Sequence, residues 1–251
     1  MSERRVIAIG GPGLGDSLSY STLPEELTRQ HGYEVWIRPP FHPWRNTEVR
    51  ALWERNPYVA GFTDDPGSDF EPWERREARS YRSWILGMEN AYGCHPTNEW
   101  PRLYGPSPQF RPECGGKVYI DPRSSSQAFP AHAIEVYVAK VGHQLGFDPA
   151  SVIVVESPYS AVNGADALAD NPREIVRGLD EYASVVTSCA VFMTVESGGH
   201  MFASAVKGAR LTPHVTSLFS VFQFNDKVFR MSNVDYKITS AGEAHRDWYD
   251  Y

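Results

Sequence analysis

Lysine is missing from the first 113 residues, which carry 13 arginines and 16 acidic side chains. Arginine forks suit planar, bidentate recognition of phosphates and carboxylates, although a biased genome composition gives the same count. Cysteine is scarce as well: Cys94, Cys114 and Cys189 are odd in number and widely spaced, with no Cys-x-x-Cys, so neither a disulfide framework nor a zinc site is suggested. Long apolar runs are absent, so no membrane span is expected. The apolar run after the charged start meets glycines within a few residues and fits a first strand, not a signal peptide. An excess of positive charge is also lacking. The formal net charge of −7 weighs against a protein whose main task is gripping nucleic acid, while leaving room for a local basic groove. No long repeat or low-complexity tract interrupts a composition near the globular average, and a cytoplasmic protein with one or two domains is expected.

What is present centres on residues 190–208. Ala190 to Val195 is a short apolar, β-rich run that reads as a buried strand. Glu196, Ser197, Gly198 and Gly199 make a tight turn of small residues. From His200 the composition is helical, with Lys207 in the last turn and Gly208 as the stop. A strand, glycine turn and helix in succession present the unpaired N–H groups of a helix start at a strand end, where phosphate is the usual guest. Ser197, Gly198 and Gly199 are therefore a candidate diphosphate cradle. An ordinary strand-to-helix connection fits the same residues.

A second glycine turn, Gly10 to Ser17, follows a strand over Arg5–Ile9. It matches neither the P-loop nor the dinucleotide fingerprint. Asp16 in this turn is either an N-cap aspartate or a carboxylate held rigidly at the C-terminal edge of a sheet. Helix is expected over Leu18–Gln30 in two pieces, with a Thr22-x-x-Glu25 capping box and Pro24 in the first turn. Strands over Glu34–Arg38 and Tyr58–Thr63 flank a helix over Asn46–Arg55, the start of a parallel sheet. The acidic loop at Asp64–Asp69 reads as a turn before it reads as a metal site, and no metal is expected. Arg75, Arg79 and Arg82 fall on one face of a helix expected over 71–90, near Trp73, Tyr81 and Trp84. They suit either a phosphate- or base-bearing acceptor or a solvated face. The aperiodic, Pro- and Gly-rich stretch Tyr92–Gly116 is the expected linker, giving domains 1–113 and 114–251.

The second half repeats the alternation: strand at Lys117–Ile120, Ser-rich turn to Pro130, helix over Ala131–Leu145 and strand at Ser151–Val155. Helices are expected over Asn171–Arg177 and Leu179–Cys189. Strands over Thr216–Phe222 and Lys227–Met231 complete the sheet before a short helix in Ser240–Tyr251. Val155-Glu156-Ser157 echoes Val195-Glu196-Ser197, placing two carboxylates at equivalent strand ends.

These stretches together resemble the heptosyltransferase-like glycosyltransferases of family 9. The N-terminal likeness is Gly13-Leu14-Gly15-Asp16, then Leu18, Pro24, Leu27 and Asn56-Pro57-Tyr58-Val59. The C-terminal likeness is Glu196-Ser197-Gly198-Gly199-His200 with its Ala-containing helix, similar to that family's Asp-Ser-Gly-x-x-His. Tyr119–Pro130 is more weakly similar to the family's turn entering the second domain. Glutamate replaces aspartate at 196, and residues 124–128, Ser124, Ser125, Ser126, Gln127 and Ala128, lack the usual lysine or arginine.

The resemblance implies an α/β protein of two Rossmann-like domains facing across a cleft, the GT-B arrangement. It implies a nucleotide-diphosphate sugar as co-substrate on the second domain, no separate cofactor, and a saccharide or other hydroxyl acceptor on the first. Asp16 carries over as catalytic base, with Gly13 and Gly15 beside it on the acceptor side. Glu196 to Gly199, with Ser124 and Ser125, carry over as donor contacts. His200 is a candidate phosphate donor or a structural histidine, and Glu156 and Ser157 are candidates for lining the base pocket. The implied chemistry is a metal-independent, inverting displacement at the anomeric carbon. Two rivals remain open: the same chemistry on a hydroxylated base in DNA, and a nucleotide-sugar-binding module without activity.

Overall fold

The computed structural model describes residues 2–40, 44, 47–65, 81–124, 129–157, 167–220 and 229–239. The Pro66–Asp69 part of the expected acidic turn, Arg75, Arg79, Ser125 and the terminal helix from Ser240 lie outside the described residues. Contacts divide the chain into two compact units between Pro106 and Ser107, earlier than the boundary expected after residue 113. Residues 229–232 return to the first unit.

The first unit runs β1 (Arg4–Ala8), α1 (Leu14–Ser19), α2 (Leu23–His31), β2 (Glu34–Arg38), α3 (Thr47–Glu54), β3 (Val59–Phe62) and α4 (Trp84–Ala91). Its sheet is parallel in the order β1-β2-β3, with Ile7 opposite Ile37. Ile7, Leu18, Leu23, Leu27, Ile37 and Ile85 are fully buried. Thr22 stands at the N-cap of α2 but makes no side-chain cap bond, so the expected capping box does not form. Glu25 is instead drawn into a buried polar cluster. It pairs with Arg29 at 2.8 Å and with Arg102, and accepts from Tyr104 Oη. Glu89, fully buried on α4, accepts from the backbone N–H groups of Thr97 (2.6 Å) and Asn98 (3.1 Å). Asn98 Nδ2 also donates to Glu26 at 2.8 Å. These bonds fix residues 97–104, within the stretch expected as a linker, against α2 and α4. Burial alone pushes the Glu89 carboxyl above its ordinary pKa, and these donors offset part of that rise.

The helix expected over 71–90 starts, among the described residues, only at Trp84, where Ser83 caps it by accepting from Ile85 N–H. Arg82 therefore precedes the helix, exposed and ion-paired with Glu99. Residues 229–231 are not the strand expected there. Arg230 O accepts from Trp84 N–H at 2.8 Å, and the Phe229 ring packs 5.3 Å from that of Trp84.

The second unit runs β4 (Val118–Asp121), α5 (Ala131–Leu145), β5 (Ile153–Glu156), β6 (Arg173–Ile175), α6 (Leu179–Ser188), β7 (Val191–Val195), α7 (Gly198–Lys207), β8 (His214–Ser220) and β9 (Asp235–Thr239). Its six strands are all parallel in the order β6-β5-β4-β7-β8-β9. Every residue of β7 is buried, as a strand covered on both faces requires, and this explains its unbroken apolar run. α5 ends at Gly146, whose φ of +79° suits a residue without a Cβ.

Two expectations fail in this sheet. Arg173–Ile175 lies inside a stretch expected to be helical and is instead the edge strand β6, pairing Val155 with Glu174. The final strand is β9, whose alternation Asp235-Tyr236-Lys237-Ile238-Thr239 pairs with β8 from Thr216↔Asp235 onward. Among the described residues no helix is long and apolar enough to cross a membrane.

Candidate functional site

In the second sheet the strand order reverses between β4 and β7, whose sequential neighbours lie on opposite sides. Open parallel sheets hold ligands beyond the C-terminal ends of the strands at this point, because the loops there diverge to opposite faces. β4 ends in Asp121 and β7 runs into Glu196-Ser197-Gly198-Gly199-His200, so the glycine turn lies at the reversal. Glu156 ends β5 and Glu196 directly follows β7, the strands on either side of β4.

The turn after β7 is tighter than the sequence suggests. α7 begins at Gly198, so both glycines are helical, with Ser197 as N-cap. Ser197 Oγ accepts from Gly199 N–H at 3.1 Å and takes part in a capping box with the His200 N–H. His200 is buried, and its Nδ1 accepts from Ser197 N–H at 3.3 Å. Its ring meets Phe219 edge-on at 5.0 Å. The capping box thus absorbs the N–H groups of Ser197, Gly199 and His200. Half-exposed Gly198 keeps an N–H without a partner among the described residues, at the positive end of the α7 dipole.

Gly199 has a separate reason to lack a Cβ. One built there would come 2.9 Å from Tyr182 Oη and 3.3 Å from Asp121 Oδ2. Tyr182 Oη on α6 donates to Asp121 Oδ2 at 2.8 Å, both side chains being buried. Tyr182 also stacks on Phe202 of α7 at 5.0 Å, which fixes α6 against α7.

Glu196 is 4% exposed, and its Oε2 has no hydrogen-bond partner among the described residues. Burial pushes its carboxyl up to about 8, against hydrogen bonds from the Ser220 backbone and side chain that pull it down. Its main chain is held by Leu218 O on one side and by Ser124 Oγ, which donates to Glu196 O at 2.7 Å, on the other. Ser124 is thereby placed beside the turn, fully buried, and Ser157 is buried just past β5. Glu156 is partly exposed, and its Oε1 accepts from Arg123 Nη2 at 3.3 Å and Arg173 Nη1 at 3.0 Å.

Sequence reasoning did not single out Asp121, Arg123 or Tyr182. Arg123 stands one residue before the 124–128 window in which a basic residue is missing, and the Asp-Pro-Arg ending of β4 was the available signal. Nothing local marks Tyr182, since its partner lies 61 residues away in sequence.

In the first unit, α1 begins at Leu14 with Gly13 as N-cap, so Asp16 sits within the first turn and is not itself the N-cap. Its Oδ2 accepts from Gly13 N–H at 2.9 Å. A Cβ on Gly11 or Gly13 would come 2.5 or 2.9 Å from that same oxygen, so both glycines leave room for the carboxylate. Gly15 O in turn accepts from Ser19 Oγ at 3.0 Å. Asp16 is half-buried on a turn that follows β1. Among the described residues no three His, Cys, Asp or Glu side chains group to hold a metal ion.

No protein-family model matches the sequence, and no curated protein is similar to it in sequence. Solved structures are similar in three dimensions. A glycosyltransferase of family 9 from Veillonella parvula DSM 2008 superposes with a TM-score of 0.56 over 94% of this chain and 86% of its own, at 11% identity. The iron-containing dodecameric glycosyltransferase TibC of enterotoxigenic E. coli H10407 gives 0.61 over 97% of this chain and 65% of its own, at 16% identity. The E. coli ADP-heptose lipopolysaccharide heptosyltransferase II gives 0.50 over 96% and 92%, at 13% identity. What the chain shares with these proteins is their fold, the two-unit parallel α/β architecture of the heptosyltransferase-like glycosyltransferases.

Proposed function

We propose that the chain is a glycosyltransferase that moves a sugar from a nucleotide-diphosphate sugar to an acceptor hydroxyl, with inversion and without a metal ion. The observation that carries the reading is that the turn at Ser197 and Gly198 lies where the sheet order reverses, in a fold shared with family 9 glycosyltransferases. On this reading the second unit holds the donor. Gly198 N–H and the α7 dipole face the diphosphate and stabilise the charge that grows on it as it departs. Glu196 and Glu156 accept hydrogen bonds from hydroxyl groups of the donor. His200 serves the turn itself, through its bond to Ser197 N–H.

The first unit holds the acceptor, and Asp16 is the base. Its carboxylate takes the proton of the acceptor hydroxyl while that oxygen bonds to the anomeric carbon from the face opposite the leaving group. The bond from that carbon to the phosphate oxygen breaks, and the nucleoside diphosphate departs with the electron pair. Gly11 and Gly13 let the carboxylate lie against the turn, where Gly13 N–H fixes one of its oxygens. General-base assistance of this kind contributes about a hundredfold or more.

The test is a thermal-shift panel of nucleotide sugars. A ligand at a hundred times its dissociation constant adds about 2.7 kcal/mol of stability, so one donor should raise the melting temperature clearly. A panel with no shift for any member would count against the proposal.

A further inference from the structure

We propose that a small hollow between α1 and α3 of the first unit is a hydroxyl subsite, in which Ser17 Oγ and the Trp53 indole N–H hold one hydroxyl group of the acceptor, other than the one that reacts. The inference rests on the glycosyltransferase reading and adds a second point of contact beside the proposed base.

The hollow lies wholly within the first unit. Ser17 on α1, Ser21 just past its end, Trp53 on α3, Asn56, Arg102 and Tyr104 give it a polar lining. Its free space is about 10 Å³, the room of a single water or hydroxyl group. Most of the lining groups already have partners. Ser21 Oγ accepts from Arg102 N–H at 3.0 Å and donates to Leu18 O at 2.9 Å. Asn56 Oδ1 accepts from Tyr58 N–H at 3.0 Å, and the Arg102 guanidinium and Tyr104 hydroxyl both go to Glu25.

Ser17 and Trp53 differ. Their residues are 1% and 2% exposed, and neither Ser17 Oγ nor Trp53 Nε1 has a hydrogen-bond partner among the described residues. Leaving such buried groups unmade costs free energy, and a buried indole N–H usually finds an acceptor. The indole can only donate, whereas the serine hydroxyl donates or accepts, so one oxygen with free lone pairs satisfies both. Charge decides what carries that oxygen. Arg102 faces Glu25 and Glu26, and Arg29 faces Glu25, two positive side chains against two negative ones. No cation is left over to hold a phosphate or a carboxylate, and burying an unpaired anion is costly, so a neutral hydroxyl fits the hollow. Ser17 follows Asp16 directly on α1, which places this contact one residue from the proposed base. Water offers the same chemistry, and the experiment separates the two sources.

The experiment is a titration of the isotope-labelled full chain with D-glucose, D-galactose, D-mannose and D-xylose, followed by NMR at the Trp53 indole N–H. That signal is identified as the one missing from Trp53→Phe, or from Trp53→Tyr should the first variant fail to fold. At least one sugar should shift it saturably, and Ser17→Ala should weaken that sugar about threefold to tenfold. The deoxy sugar that lacks the seated hydroxyl should leave the signal in place. A signal that none of the four sugars moves overturns the inference and makes the hollow a water site. So does a shift whose affinity is unchanged in a Ser17→Ala chain that melts with the wild type. The glycosyltransferase reading fails on a separate measurement, the melting temperature with nucleotide sugars. Sugar binding in a chain that no nucleotide sugar stabilises overturns the assignment of this hydroxyl to an acceptor.

Discussion

Tyr182 Oη donates to Asp121 Oδ2 at 2.8 Å, joining α6 to the end of β4 where the sheet order reverses. Tyr182 is completely buried, and burial together with the Asp121 charge raises its pKa well above the ordinary value, so the hydroxyl stays protonated as a donor. Hydrogen bonds to a buried charge are worth about 1.5–3 kcal/mol. Tyr182→Phe should lose that amount in urea unfolding, with the midpoint falling and the slope unchanged. A loss under about 0.5 kcal/mol would show that Asp121 is held by other donors.

The two glycines that open α7 should respond differently. Gly199→Ala places a methyl group 2.9 Å from Tyr182 Oη and should cost about 1–3 kcal/mol of stability through overpacking. Gly198 is half-exposed, so Gly198→Val should fold while shielding the N–H proposed to face phosphate. Its donor affinity should fall about tenfold or more. Calorimetric melting and donor titration on both variants separate the effects. A folded Gly198→Val with unchanged affinity moves the donor elsewhere.

Asp16 combines a bond to Gly13 N–H with the proposed role of base. Asp16→Asn keeps an oxygen for that N–H but cannot accept a proton at neutral pH. Stability should hold while turnover falls about a hundredfold or more. Asp16→Ala should cost about 1 kcal/mol as well, by losing the bond from Gly13 N–H. Full turnover in Asp16→Asn would remove the catalytic assignment.

Glu196 predicts a pH dependence with a definite sign. Its pKa is pushed by burial from the ordinary 4.5 up to about 8, so the native state holds the proton more tightly than the unfolded chain does. Its contribution to stability is full below about 4.5 and falls by about 1.4 kcal/mol per pH unit until about 8. Glu196→Gln removes the titration. The stability difference between variant and wild type should therefore grow in favour of the variant from pH 5 to pH 8. Buried Glu89 has a raised pKa too and gives a slope of the same sign, but it is present in both proteins and cancels. A difference that stays flat over this range would show that Glu196 does not titrate there.

The sequence by itself determined the elements whose signals are local. β7, the glycine turn and α7 are written in one stretch, because a strand buried on both faces must be apolar throughout and a helix start needs a small polar cap. α5 spans Ala131–Leu145 as expected, bounded by Pro130 and Gly146. The glycine turn from Gly10 was equally plain, but helix begins at Leu14 instead of the expected Leu18, so Asp16 lies in its first turn. Tertiary structure decided the rest. β6 is only three residues long, Arg173-Glu174-Ile175, and it is a strand because the edge of β5 offers it hydrogen bonds that no local helix signal could outweigh. Arg230 belongs to the first unit because Trp84 N–H needs an acceptor there. The charges at the sheet reversal were likewise beyond local reading. Whether Asp121, Arg123 or Glu196 is satisfied, orphaned or neutral depends on what packs against it from α6, β5 and β8, and burial turns those contacts into free energy.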